Sequence, residues 1–260
     1  EICMFLLEFY VALLLFSFFV SVNSALSKIE IGISVGFRDF AVLPDSSFAP
    51  ARAHVMTADP QGRLFANDQR GFLHLISPDG STVTNYLSLS TFAGVSVVSS
   101  GEQGFLGFDF HPDFANVGED GFGKFYTIHS ESDRSPAPTY PFVSNTGTGS
   151  SNTHDTVLLE WTVTNPAATT YAAGGGTAPR EVLRLEQPAG NHNAGLIAFN
   201  TSVGSSDPDY GNLYVAIGDG GSGGDPWNIA RDPNKAYGKI LRIDPLDPDG
   251  AGGADYGIVA

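Results

Sequence analysis

Cysteine is nearly absent: the 260 residues contain one, Cys3, so no disulfide can staple the chain to itself. Basic residues are scarce as well. Lys and Arg total 13 against 28 Asp and Glu, a formal net charge of −15. A chain this acidic lacks the positive face that a nucleic-acid backbone requires. Charged residues make up only 16% while apolar residues reach 42%, which excludes a disordered acidic tail. There is no Gly-Lys-Ser/Thr phosphate loop, and no long 3.6-residue period follows residue 25. What is abundant is glycine (31), proline (16), phenylalanine (19) and tyrosine (9). With no collagen-like triplet period, that composition means many turns between short, aromatic-rich strands.

The chain opens on an almost unbroken apolar stretch, Ile2 to Val22. Its densest part, Phe9 to Val20, has the length of a signal-peptide core. Val22-Asn23-Ser24 places small or modest residues before a cleavage point at Ala25. Residues 1–24 are therefore expected to be a signal peptide, and the product to be secreted, with no membrane span left after cleavage. The alternative is an uncleaved anchor, since about 20 apolar residues span a bilayer, although Glu8 would be costly inside one. The missing initiator Met and basic leader, and the stop at Ala260, lead to the expectation of a piece of a longer reading frame. Asn200-Thr201-Ser202 is a glycosylation sequon that secretion would expose to modification.

From residue 25 onward, short apolar runs alternate with Gly, Pro, Asp and Asn. Arg63 to Asn67, a Gly71 turn and Phe72 to Ile76 form a hairpin within a meander. The pattern returns at Phe105 to Phe110, Lys124 to His129 and Thr156 to Val163, then at Leu196 to Phe199, Asn212 to Ile217 and Lys239 to Asp244. Strand sets recurring every few tens of residues point to an all-β fold, a β-propeller with blades of about 40–50 residues. Three such units, and part of a fourth, fit in residues 25–260. A β-sandwich is the alternative architecture. Ser130 to Asp155 and Thr164 to Pro179 read as surface loops with no core-forming pattern.

Gly218-Asp219-Gly220-Gly221-Ser222-Gly223 follows an apolar run and has the spacing of a dinucleotide-binding fingerprint. That motif must open a helix whose N–H groups hold pyrophosphate. Pro226 and Pro233 leave no room for one, and Asp219 and Asp225 would repel phosphate. Of the histidines, His54, His74, His111, His129, His154 and His192, none has zinc-site spacing. His111 and His74 read as structural. His192 sits in the polar loop Gly190 to Gly195, which can present an imidazole at a propeller rim or leave it as an ordinary surface side chain. Asp207 to Asp209 and Asp244 to Asp249 are acidic turns without the full spacing of a calcium loop.

Two blocks resemble one family. Gly101-Glu102-Gln103-Gly104-Phe105-Leu106-Gly107-Phe108-Asp109-Phe110-His111-Pro112-Asp113-Phe114 is similar to a blade of the glucose/sorbosone dehydrogenases. These are soluble aldose dehydrogenases using pyrroloquinoline quinone (PQQ), with hedgehog-interacting-protein-like relatives. The second block runs through His192-Asn193-Ala194-Gly195, Leu213 to Gly221, Gly224-Asp225-Pro226 and Gly238 to Pro245. The resemblance implies a six-bladed propeller carrying PQQ and Ca²⁺. It implies that His192 takes the proton of a sugar's anomeric hydroxyl while hydride passes to the quinone. Asp219 would bond that base, and Glu102, with His192, would lie at the cofactor. A small-molecule sugar and an external electron acceptor are the implied partners. Two departures stand out: Ala194 replaces a Gly or Ser, and the chain stops short of the family's Arg-Asn-Pro segment and calcium-binding carbonyls. An inactive fragment of such an enzyme is therefore expected, with the metal ligands unidentified. The alternative is a non-enzymatic extracellular propeller that binds a protein or glycan.

Overall fold

Alternation sets the strands. In Leu64–Asp68 (β2) and Phe72–Ile76 (β3), Phe65, Leu73 and Leu75 fall on one face and Leu64, Ala66, His74 and Ile76 on the other. The hairpin register Leu64↔Ile76 to Asp68↔Phe72 keeps each set together. Gly71, at φ +102°, closes it in a conformation that favours glycine. Ala53–Ala58 (β1) and Val83–Ser88 (β4) complete a four-stranded antiparallel meander.

The computed structural model describes residues 37–45, 49–132, 138–150, 154–246 and 256–258. The chain divides into two units, Glu1–Arg38 and Asp39–Ala260. Of the first, only Phe37 and Arg38 are described, both exposed, so the expected signal peptide lies outside the described residues. The second unit is all-β. Beside the first sheet are two more meanders: Phe105–Phe110 (β5), Lys124–Ser132 (β6), His154–Thr162 (β7) and Arg180–Glu186 (β8), then Ala194–Phe199 (β9), Leu213–Ile217 (β10), Ile240–Asp244 (β11) and Gly257–Ile258 (β12). These are three blades of a β-propeller. A 3₁₀ turn at Leu89–Thr91 is the only helical element among the described residues, and none of them forms a helix able to cross a membrane.

The blades stack face to face. Phe65, Phe105, Phe110, Phe125 and Trp161 fill one interface, and Leu106, Tyr126, Leu158, Ile197 and Val215 fill the other. The middle blade buries both faces, so β6 and β7 are buried along nearly their whole length, polar side chains such as Thr127, His129 and Glu160 included. Gly107 lets β9 approach, since a methyl there would lie 2.7 Å from the Gly195 carbonyl oxygen. Between these blades Asp109 accepts the Phe199 N–H at 2.8 Å. Between the first two, Asn67 Nδ2 donates to the Phe105 carbonyl at 2.7 Å.

Burial pushes the Asp109 carboxyl up to about 6 despite its two backbone donors. The folded chain thus holds this proton more tightly than the unfolded chain, whose Asp titrates near 4. The carboxyl's contribution to stability is full below about pH 4 and is lost as pH rises through about 6. Asp109→Asn keeps an acceptor for Phe199 and removes the titration. In urea unfolding the variant is expected to gain stability relative to the wild type between pH 4 and 7.

Several expectations need correction. β1, β4, β8 and β12 show no clear alternation and were not anticipated; pairing with stronger neighbours makes them strands. The loop expected from Ser130 is shorter, because β6 and β7 stay in register out to Ser132↔His154. Its described part is not merely surface: Asn145 N–H bonds the Trp227 carbonyl at 3.1 Å, and Phe142 packs edge-on against Trp227. Within Thr164 to Pro179, Tyr171 is buried, and Gly176 exists because a methyl there would lie 2.2 Å from its ring. β8 also buries Arg184, which binds Asp155 at 2.9 Å and Glu131 at 2.8 Å.

Candidate functional site

His192 lies in the loop entering β9, Asp219 just beyond β10, and Glu102 in the turn before β5. Meander topology puts the start of β9 and the end of β10 at one end of their sheet, and the close β5–β9 approach brings Glu102 there as well. The glycine-rich segment after β10 forms turns, not a helix. Its glycines serve contact between loops. A methyl on Gly218 would lie 2.1 Å from the His192 carbonyl oxygen, and one on Gly221 would lie 2.4 Å from Asn191 Oδ1. Gly218 N–H bonds the Asn193 carbonyl at 2.8 Å, so the two loops are pressed together.

The imidazole is held on both sides of its backbone and at one ring nitrogen. His192 Nδ1 lies 2.8 Å from Asp219 Oδ1. Because a carboxylate accepts, Nδ1 is the donor of this pair. His192 N–H donates to Glu102 Oε2 at 2.6 Å. Burial by itself would raise the Asp219 carboxyl, but the Gly221 N–H and the imidazole hold it below its ordinary value, so it is ionised at neutral pH. Both partners remain open to solvent, 43% and 35% exposed.

The imidazole borders a cleft of about 630 Å³ lined by His54, Gln69, Glu102, Leu106, Ala194 and Ala216 among others. No lysine or arginine lines it among the described residues. His54, exposed on β1, was missed by sequence reasoning because β1 carries no legible pattern. His154 was missed too: buried, it bonds Asn193 Oδ1 through Nε2 at 2.8 Å. The other named histidines are elsewhere. His111 accepts the Asp113 N–H at 3.0 Å through Nδ1, and His74 is buried on β3 with its basicity lowered by burial. No cluster of three or more His, Cys, Asp or Glu is arranged for a metal among the described residues. Asp209 is taken up by Asn200 and Tyr214, and Asp247 and Asp249 lie outside the described residues.

Stacked antiparallel blades with an imidazole–carboxylate pair at the rim of a cleft make up a partial β-propeller. The family model for "Glucose / Sorbosone dehydrogenase" matches residues 51–256, and the chain belongs to that family. Among curated relatives, HIPL1 protein of Arabidopsis thaliana is 29% identical over 202 residues, covering 72% of this chain and 28% of that protein. HIPL2 protein of the same plant is 27% identical over 210 residues, covering 73% and 28%. The chain thus spans under a third of these relatives' length. Among solved structures, a putative oxidoreductase (glucose dehydrogenase) from Thermus thermophilus aligns with TM-score 0.49 and 21% identity, covering 78% of this chain and 49% of that one. The PQQ domain of pyranose dehydrogenase from Coprinopsis cinerea aligns with TM-score 0.40 and 12% identity, covering 75% and 34%.

Proposed function

We propose that this chain supplies the proton-accepting part of a sugar dehydrogenase site, with a neutral aldose as substrate. The observation that carries the reading is the 2.8 Å His192–Asp219 contact at a residue that lines the cleft. His192 takes the proton of the sugar's anomeric hydroxyl at Nε2. Asp219 holds the Nδ1–H tautomer and stabilises the imidazolium that forms. The acidic surface implied by a net charge of −15 suits an uncharged sugar better than an anionic one.

The family resemblance implies PQQ with Ca²⁺ as hydride acceptor. The described cleft does not fit that cofactor by itself: a tricarboxylate needs cationic partners, and the lining offers Glu102 but no lysine or arginine. The described residues account for the proton alone; the hydride would pass to an acceptor that the described cleft does not by itself hold. Residues 1–24 belong to the same reading as a cleaved signal peptide, making the product a secreted protein that meets its sugar and an external electron acceptor outside the cell.

The absence of cationic lining among the described residues favours a second reading, a non-enzymatic extracellular propeller that binds a protein or glycan. The test is dye reduction by the full-length protein with PQQ, Ca²⁺ and a panel of aldoses. Sugar-dependent turnover is expected. No turnover with any aldose, together with retained glycan or protein binding, would leave the second reading.

A further inference from the structure

Residue 192 has its backbone at φ +53°, the left-handed region, which a residue with a side chain adopts at a cost and keeps only where its surroundings impose it. Here they do. The Glu102 carboxylate binds the His192 N–H at 2.6 Å, a charge-assisted bond of the strong kind. The carbonyl of Glu102 accepts Asn193 Nδ2 at 3.3 Å, and Asn193 is anchored by buried His154 at 2.8 Å. On the other side, Gly220 N–H reaches the His192 carbonyl at 3.4 Å. A turn of the middle blade thus grips two successive residues of a loop belonging to the next blade.

We propose that Glu102 is a positioning residue for His192: by binding the backbone N–H it holds residue 192 in the left-handed conformation that joins Nδ1 to Asp219 at the edge of the cleft. Glu102 acts through His192 and not as a ligand of a cofactor. The catalytic meaning rests on the sugar-oxidation reading; the structural claim does not.

The experiment is long-range ¹H–¹⁵N NMR of the histidines in the native protein, with neither cofactor nor sugar, for the wild type and three variants. Glu102→Gln keeps an acceptor at full reach, and its His192 is expected to stay in the Nδ1–H tautomer with a slowly exchanging proton, as in the wild type. Glu102→Ala removes the acceptor, and Glu102→Asp withdraws it by one methylene while keeping the charge. Both are expected to mix tautomers and speed Nδ1 proton exchange at least 10-fold. Their kcat for aldose oxidation is expected to fall by about 10–10²-fold at unchanged KM. Wild-type tautomer and exchange in the Ala and Asp variants would overturn the proposal; if Glu102→Ala fails to fold, the Asp variant decides. The NMR change in a native protein that oxidises no sugar would support positioning and sink only the enzymatic reading.

Discussion

His192→Ala in the native protein is expected to lower aldose-dependent dye reduction by about 10²–10⁴-fold, the range that a positioned general base contributes. The loss should fall on kcat, with KM little changed, because in the proposed reaction the imidazole acts on the proton in flight and not on sugar already bound. The fold should survive, since a ring 43% exposed carries little of the core. Asp219→Asn is expected to act in the same direction and more weakly. Its amide oxygen can still accept the Nδ1 proton, but the negative charge that steadies the imidazolium is gone. Steady-state kinetics on both variants, with circular dichroism to verify folding, checks the order. A His192→Ala protein with wild-type kcat would end the assignment of the base.

Trp161→Ala is expected to cost about 3–5 kcal/mol, the usual loss for a fully buried large aromatic, and on the order of 10 °C in Tm. Trp161 has no exposed surface. Its ring meets Phe92 edge-on at 5.0 Å, Tyr171 edge-on at 5.5 Å and Phe125 stacked at 6.2 Å. Its indole N–H donates to Thr127 Oγ1 at 2.8 Å. Truncation opens a cavity in the interface between the first two blades and leaves that hydroxyl without its donor. Trp161→Phe keeps the ring contacts and should lose much less. The chain has two tryptophans, so in both variants Trp227 alone reports unfolding by fluorescence. A Trp161→Ala protein as stable as the wild type would contradict this packing.

The sequence was most legible where one strand sees one environment. Phe72 to Ile76 and Phe105 to Phe110 were read with the boundaries the structure has, because their patterns are bounded by glycine or proline turns. β8 was illegible because Arg184, read locally, belongs to a solvated face; three carboxylates bind it inside instead. Tyr171 was illegible because a single aromatic in a Gly- and Ala-rich stretch has no period. Its burial comes from closing onto Trp161 and Tyr86 of other elements. At the site, His192 and Asp219 were paired through a family resemblance and not through spacing. Nothing local singled out His54 or His154.

Composition and period by themselves determined an all-β, turn-rich chain without internal disulfides, because glycine, proline and alternating aromatics act within a few residues of where they stand. Only the tertiary structure decided the site. Glu102 and Asp219 stand 90 and 27 positions from His192, and no local preference acts over such separations. They meet because apolar blade faces stack and glycine-rich loops can then press backbone against backbone.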